Sequence, residues 1–168
     1  SITGLPGHPV ENIHLSDISI TFKGGGTLAD ARKEVPELPE HYPESTMFGK
    51  LPSYGFYVRH AKDISLNNIN MIFENEDQRP AVVCDDVDGM NISGFYAQGT
   101  RQTPGLIRLI DSKDVFITNS RPSNEVGLFL DVEGEGSERI AVFNNDLRLA
   151  GEEVNIGADV GESAVNVR

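Results

Sequence analysis

The stretch KDISLNNINM, residues 62–71, does not stand alone. It returns as ENIHLSDISI at 11–20, DGMNISGFYA at 88–97, KDVFITNSRP at 113–122 and SERIAVFNND at 137–146. The first apolar anchors of these segments are Ile13, Ile64, Met90, Val115 and Ile140, and the last four are spaced 26, 25 and 25 residues apart. Another 25 residues leads to Val165 in the closing SAVNV. The first interval is 51 residues, which fits two turns of the repeat or one turn with a large excursion. A fixed period of this length is the mark of stacked repeats.

Within each unit the pattern alternates: Ile13 and Leu15 recur as Ile64 and Leu66, then as Val115 and Ile117. Alternation of period two predicts strands. A second set of strands precedes them in GFYVRH, PAVVCDD, GLIRLID and GLFLDVE, where Phe56, Val82 and Ile107 keep the phase and the fourth strand shifts slightly. A third, weaker strand follows in INMIF and FYAQG. Asp17, Asn68, Gly94, Asn119 and Asn144 share one position, four residues after each anchor. Asn and Gly tolerate a left-handed bend, and an Asn amide can bond to its counterpart one coil away. Apolar rows inside and an amide ladder at a corner specify an all-β, parallel β-helix in one domain over residues 1–168. A sandwich would explain the alternation but not the constant phase.

Residues 23–53, KGGGTLADARKEVPELPEHYPESTMFGKLPS, interrupt the rhythm as a long insertion. Gly24, Gly25 and Gly26 permit an exit from strand geometry. Thr27 is placed to cap a short helix near LADARKE that Pro36 would stop, and Pro39, Pro43 and Pro52 favour an extended loop. The triple glycine lacks the Gly-Lys-Ser/Thr continuation of a phosphate cradle. Tyr42, His41, Arg32 and Tyr54 are candidate surface contacts, since aromatic faces pack on sugars and Arg or His can hold oxygens. The plainer reading, and the favoured one, is a cover over apolar coils.

Composition narrows the function. The chain has 168 residues, 38% of them apolar, and 14 basic against 26 acidic residues give a net charge of −12. No concentrated basic face exists for nucleic acid, and no apolar run approaches a membrane span. No secretory leader is visible in SITGLPGHPVENIHL, and a start at serine leaves room for sequence upstream. Cys84 has no partner for a disulfide. The four histidines lack zinc-ligand spacing, and Asp85 with Asp88 does not make a calcium shell, so neither metal nor cofactor is expected. Asn91-Ile92-Ser93 fits the glycosylation pattern, but its place in a recurrent strand favours ladder packing.

Asp85 and Asp86, adjacent at the end of an apolar run, invite a catalytic reading. Neighbours in a strand point to opposite faces, so they should not converge on one atom unless the chain bends sharply between them. Coil register aligns Asp86 with His60 and Asp111, an Asp–His–Asp column that could exchange a proton or merely pack at strand ends. No independent nucleophile accompanies it, and no catalytic residue is assigned.

GLPGHPVENIHLSDISI (4–20), GGGTLADARKEVPELPEHYPESTMFGKLPSYGFYVRH (24–60) and RPAVVCDDVDGMNI (79–92) together resemble the carboxyl-terminal half of glycoside hydrolase family 28, the polygalacturonase-like, pectin-degrading β-helix enzymes, in bacterial members above all. The likeness covers most of residues 1–133. It implies a right-handed, single-stranded parallel β-helix of the pectin-lyase-like kind and an extracellular or periplasmic parent enzyme. It also implies inverting hydrolysis of galacturonide-containing polysaccharide by paired carboxylates. The family's Asn-Thr-Asp, Gly-His-Gly and Arg-Ile-Lys motifs are absent, and Asp85-Asp86 falls too late in the series to be its Asp-Asp. The implied role is therefore a distal part of such an enzyme, with little or no activity of its own. Its partners would be upstream coils and a polysaccharide or oligosaccharide, with Arg59, His60 and Tyr54 as preferred contacts. A free-standing carbohydrate-binding β-helix and a structural capping or assembly domain are the alternatives.

Overall fold

In the computed structural model, which describes residues 1–42, 44 and 46–168, eleven strands join one parallel sheet that winds as a β-helix. Pro43, expected to stiffen the insertion, lies outside the described residues. The strands are β1 (Ile2–Thr3), β2 (Val10–Gly24), β3 (Phe56–Asn75), β4 (Val82–Ala97), β5 (Ile107–Ile110), β6 (Lys113–Thr118), β7 (Arg121–Pro122), β8 (Val126–Glu133), β9 (Glu138–Phe143), β10 (Ala150–Ile156) and β11 (Val165–Val167). One short helix, α1 (Leu28–Ala31), lies in the insertion.

The register follows the sequence repeat. Ile13 pairs with Ile64, Ile64 with Met90, Met90 with Val115, Val115 with Ile140 and Ile140 with Val165. β2 pairs directly with β3, so the 51-residue interval is one turn carrying an excursion. The preceding wall stacks Val58, Cys84, Leu109, Val132 and Ile156, with the expected shift where Ile107 meets Leu130. The third wall is complete in β3 and β4 and shrinks to β7 in the next coil. Each coil thus supplies the backbone partners that an isolated strand lacks.

Left-handed residues turn the corners. Asp17, Asn68, Gly94, Asn119 and Asn144 all have φ between 50° and 65°. Asn68 Nδ2 donates to Asp17 Oδ1 at 2.7 Å and Asn144 Nδ2 to Asn119 Oδ1 at 2.6 Å, so the ladder runs on either side of Gly94. Asn12, Asp63, Gly89, Asp114 and Arg139 form another left-handed column. His60, Asp86 and Asp111 form a third, with φ of 46°, 56° and 46°. A buried hydroxyl ladder reinforces the bends: Ser137 Oγ accepts from Ser112 N, and Ser112 Oγ donates to the Ile110 carbonyl. Inside, Leu66, Met71, Ile92, Phe95, Leu109, Ile117 and Phe129 are fully closed off from solvent.

The insertion is clamped at both ends by one buried ion pair. Asp77 is 0% exposed and accepts from Gly26 N at 2.9 Å, from Arg79 N at 3.0 Å, and from Arg79 Nε and Nη2 at 2.9 and 2.7 Å. Arg79 Nη1 then reaches the Leu51 and Ser53 carbonyls at 3.2 and 3.1 Å. Burial alone would raise the Asp77 pKa, but the Arg79 guanidinium and the two backbone N–H donors outweigh it and hold it below the ordinary value. A Cβ on Gly26 would sit 2.1 Å from Arg79 Nε, which is why this glycine is fixed. Thr27 caps α1 through a reciprocal bond with Asp30. The helix ends at Ala31, well before Pro36, with its terminal carbonyl facing Arg108 Nη1 at 3.5 Å.

Candidate functional site

The insertion lies against the outer face of the wall that contains β5 and the first parts of β3 and β4. Strand alternation sends Val58 and Cys84 inward and Tyr57, Arg59, Val83 and Asp85 outward. Outward residues of a solenoid are ordinarily wet, yet Tyr57 is 2% and Val83 0% exposed. Ala31 and Val35 reach this face through their carbonyls, which accept from Arg108 Nη1 and, at 2.8 Å, from Arg59 Nη1.

Beneath and beside this cover, six side chains form one connected network. Tyr57 donates its hydroxyl to Asp85 Oδ2 at 3.0 Å. Arg59 Nε lies 3.3 Å from the same oxygen, off the hydrogen-bonding direction. Arg59 Nη2 pairs with Glu37 Oε1 from the insertion. His60 Nε2 bonds to that same Glu37 oxygen at 2.9 Å, and His60 Nδ1 bonds to Asp86 Oδ2 at 2.6 Å. Ionised carboxylates only accept, so with Glu37 and Asp86 ionised both ring nitrogens donate and His60 carries the imidazolium charge. Burial of the ring by itself disfavours that charge. Glu37 and Asp86 outweigh it and hold the pKa above the ordinary histidine value.

Asp85 and Asp86 thus serve different donors. The positive φ at Asp86 supplies the sharp bend, but it turns this carboxylate onto His60 rather than toward a space shared with Asp85. His60 and Asp86 do meet across coils. Asp111 occupies the same corner one coil on, but its Oδ1 accepts from Gly136 N at 3.0 Å in the following coil. All three line a cleft of about 200 Å³ together with Leu5, Pro9, Lys62 and Lys113.

One expected contact is corrected. Tyr54 is not on the surface: it is 5% exposed, wedged edge-on between Phe22 and Phe73, with its hydroxyl donated to the Gln98 carbonyl at 2.6 Å. The apolar third wall captures a ring that the sequence, at the close of the insertion, placed among the surface contacts. Tyr42 is 84% exposed, Arg32 forms the exposed C-cap of α1, and His41 is exposed. Cys84 belongs to the interior row, and its thiol is pushed up to about 12 by burial first and by Asp85 second, which makes it inert.

A second polar group lies on the same wall. Arg108 holds Glu133 with two bonds of 2.8 and 2.7 Å, while Asn155 donates to Asp131 at 2.7 Å. Burial, then the neighbouring Glu133, raises the Asp131 pKa, and the Arg108 fork lowers that of Glu133. Sequence reasoning passed over this group and Glu37, Tyr57 and Arg79. Arg108 and Asp131 are register partners, so coil alignment could have paired them. No spacing rule reaches Glu37, because it arrives from outside the repeat.

No family model, no curated protein and no solved structure matches this chain.

Proposed function

We propose that this chain is the distal β-helix part of an exported, family 28-like glycosidase acting on galacturonide-containing polysaccharide, and that the bond-breaking carboxylates belong to coils upstream of it. The observation that carries this reading is the outer edge of β2. Among the described residues this fifteen-residue strand pairs with β3 alone, and none of its own residues is fully buried, although Ile13, Leu15, Ile18 and Phe22 pack against the core. Their partners Ile64, Leu66 and Ile69 in β3 are 0–1% exposed. A preceding coil in the same register would cover that apolar face and satisfy the free backbone groups.

The network around His60 supports the division of labour. Inverting hydrolysis needs two carboxyl groups facing each other across roughly 6.5–9.5 Å with room for the sugar and a water. Asp85 and Asp86 are each consumed by a neighbouring cation or hydroxyl instead. In this reading Arg59 and His60 form part of the sugar-contacting wall.

The isolated chain, incubated with polygalacturonate, is expected to release no reducing ends, while a chain extended upstream through the missing motifs does. Robust turnover by residues 1–168 that disappears in Asp86→Ala would place the chemistry here and overturn the proposal.

A further inference from the structure

We propose that Arg59 and His60 form a carboxylate-binding site which Glu37 of the insertion occupies from within the chain, so that an external carboxylate and the insertion compete for the same donors. The uronate identity of that external ligand rests on the function proposed above; the competition itself rests on geometry.

Two donors of different kinds converge on one oxygen. Arg59 Nη2 and His60 Nε2 both meet Glu37 Oε1. Convergent charged donors on a single acceptor make a strong and directional carboxylate site. The receiving groups are held from behind by the coils: Asp86 fixes the imidazolium through Nδ1, and Asp85 lies beside the Arg59 guanidinium. Their side chains are only 10% and 14% exposed, so the donors are preorganised.

The occupying group is held quite differently. Glu37 sits in a stretch without helix or strand, between Pro36 and Leu38, and its side chain is 37% exposed. Among the described residues, the bonds tying this stretch to the wall are those of Glu37 itself and the Val35 carbonyl to Arg59. Both ends of the insertion are secured separately, at Gly26 and at Leu51 and Ser53, by Asp77 and Arg79. Glu37 can leave without undoing those clamps. When it leaves, it vacates Arg59 Nη2 and His60 Nε2, while Asp85 and the Val35 carbonyl stay with other nitrogens of Arg59 and Asp86 stays on His60 Nδ1.

Local charge selects the ligand. Without Glu37, Arg59 and His60 are balanced by Asp85 and Asp86. A single carboxylate restores the original tally, whereas a dianion such as phosphate overloads it. The fitting ligand is therefore one acidic group on an otherwise neutral body, as a uronic acid residue provides. Competition also has a signature: if the closed arrangement is favoured by about ten to one, the native chain binds about tenfold more weakly than one lacking Glu37.

The test follows the His60 ring resonances of the 1–168 chain and its Glu37→Ala variant during titration with sodium acetate, trigalacturonate and the neutral galactose trimer. The expected result is a saturating response to both carboxylates, at about tenfold lower concentration in Glu37→Ala than in the native chain. The neutral trimer gives none. Adding Arg59→Ala to Glu37→Ala removes the response, and Arg59→Lys, which keeps the charge but not the fork, weakens it. Equal affinities with and without Glu37, or a Glu37→Ala ring that ignores both acids, overturns the proposal. A response to acetate without one to trigalacturonate upholds the carboxylate site and overturns the galacturonan reading.

Discussion

Replacing Asp77 with alanine is expected to destabilise the chain by about 3–5 kcal/mol, among the largest effects of any single polar substitution. The reason is what the change leaves behind. Arg79 is only 12% exposed at its side chain and donates to both Asp77 oxygens, so removing the carboxylate strands a guanidinium charge with two carbonyls for company. The Gly26 N–H also loses its acceptor in a buried position. Asp77→Asn keeps the shape but loses the charge and should fall between alanine and the native residue. Urea denaturation measures the loss, and limited proteolysis should show new cuts within residues 27–53, because the same group closes both ends of the insertion. A loss below about 1 kcal/mol would reduce the clamp to surface decoration.

Phe95→Ala should cost about 3–5 kcal/mol for a different reason, the loss of apolar contact plus a cavity that the coils cannot collapse to fill. Phe95 is 0% exposed, follows the Gly94 corner directly, and pairs with Ile69 in the adjoining coil. Its backbone N–H is held by Ser120 Oγ at 3.0 Å, which fixes the main chain on the other side. A solenoid interior is bounded by hydrogen-bonded strands on every wall, so shrinking one ring cannot be repaired by sliding one helix inward. Phe95→Leu, which keeps most of the volume, should cost distinctly less. Thermal or urea unfolding of the two variants separates the cavity contribution from a general intolerance of change.

The coils were legible in the sequence because their physics is local and periodic. An apolar anchor, an inward neighbour two residues on and a left-handed corner residue recur at one spacing, and each has a reason that needs no knowledge of the rest of the chain. Even the 51-residue interval resolves once β2 is seen to lie on β3 with the insertion looped out. The insertion obeys no such period. Asp77, Gln78 and Arg79 look like an ordinary polar turn until Gly26 and Ser53 are brought to them, and Gln78 takes the Leu28 N–H in the same closure. Tyr54 misled for the same reason: its neighbours in sequence are loop-like, while its neighbours in space are Phe22 and Phe73. Of the candidate site, the His60–Asp86 contact was readable from coil alignment. Glu37, which gives that pair its third member, was not.

Everything depends on coils stacked in phase, and backbone proton contacts measured by nuclear Overhauser spectroscopy on the 1–168 chain test that most directly. Ile92 should contact Leu66 on one side and Ile117 on the other, and Leu15 should contact Leu66 across the whole insertion, all in the parallel pattern. An antiparallel pattern between β3 and β4, or an Ile92 with neither neighbour, would contradict the β-helix and with it every site placed upon it.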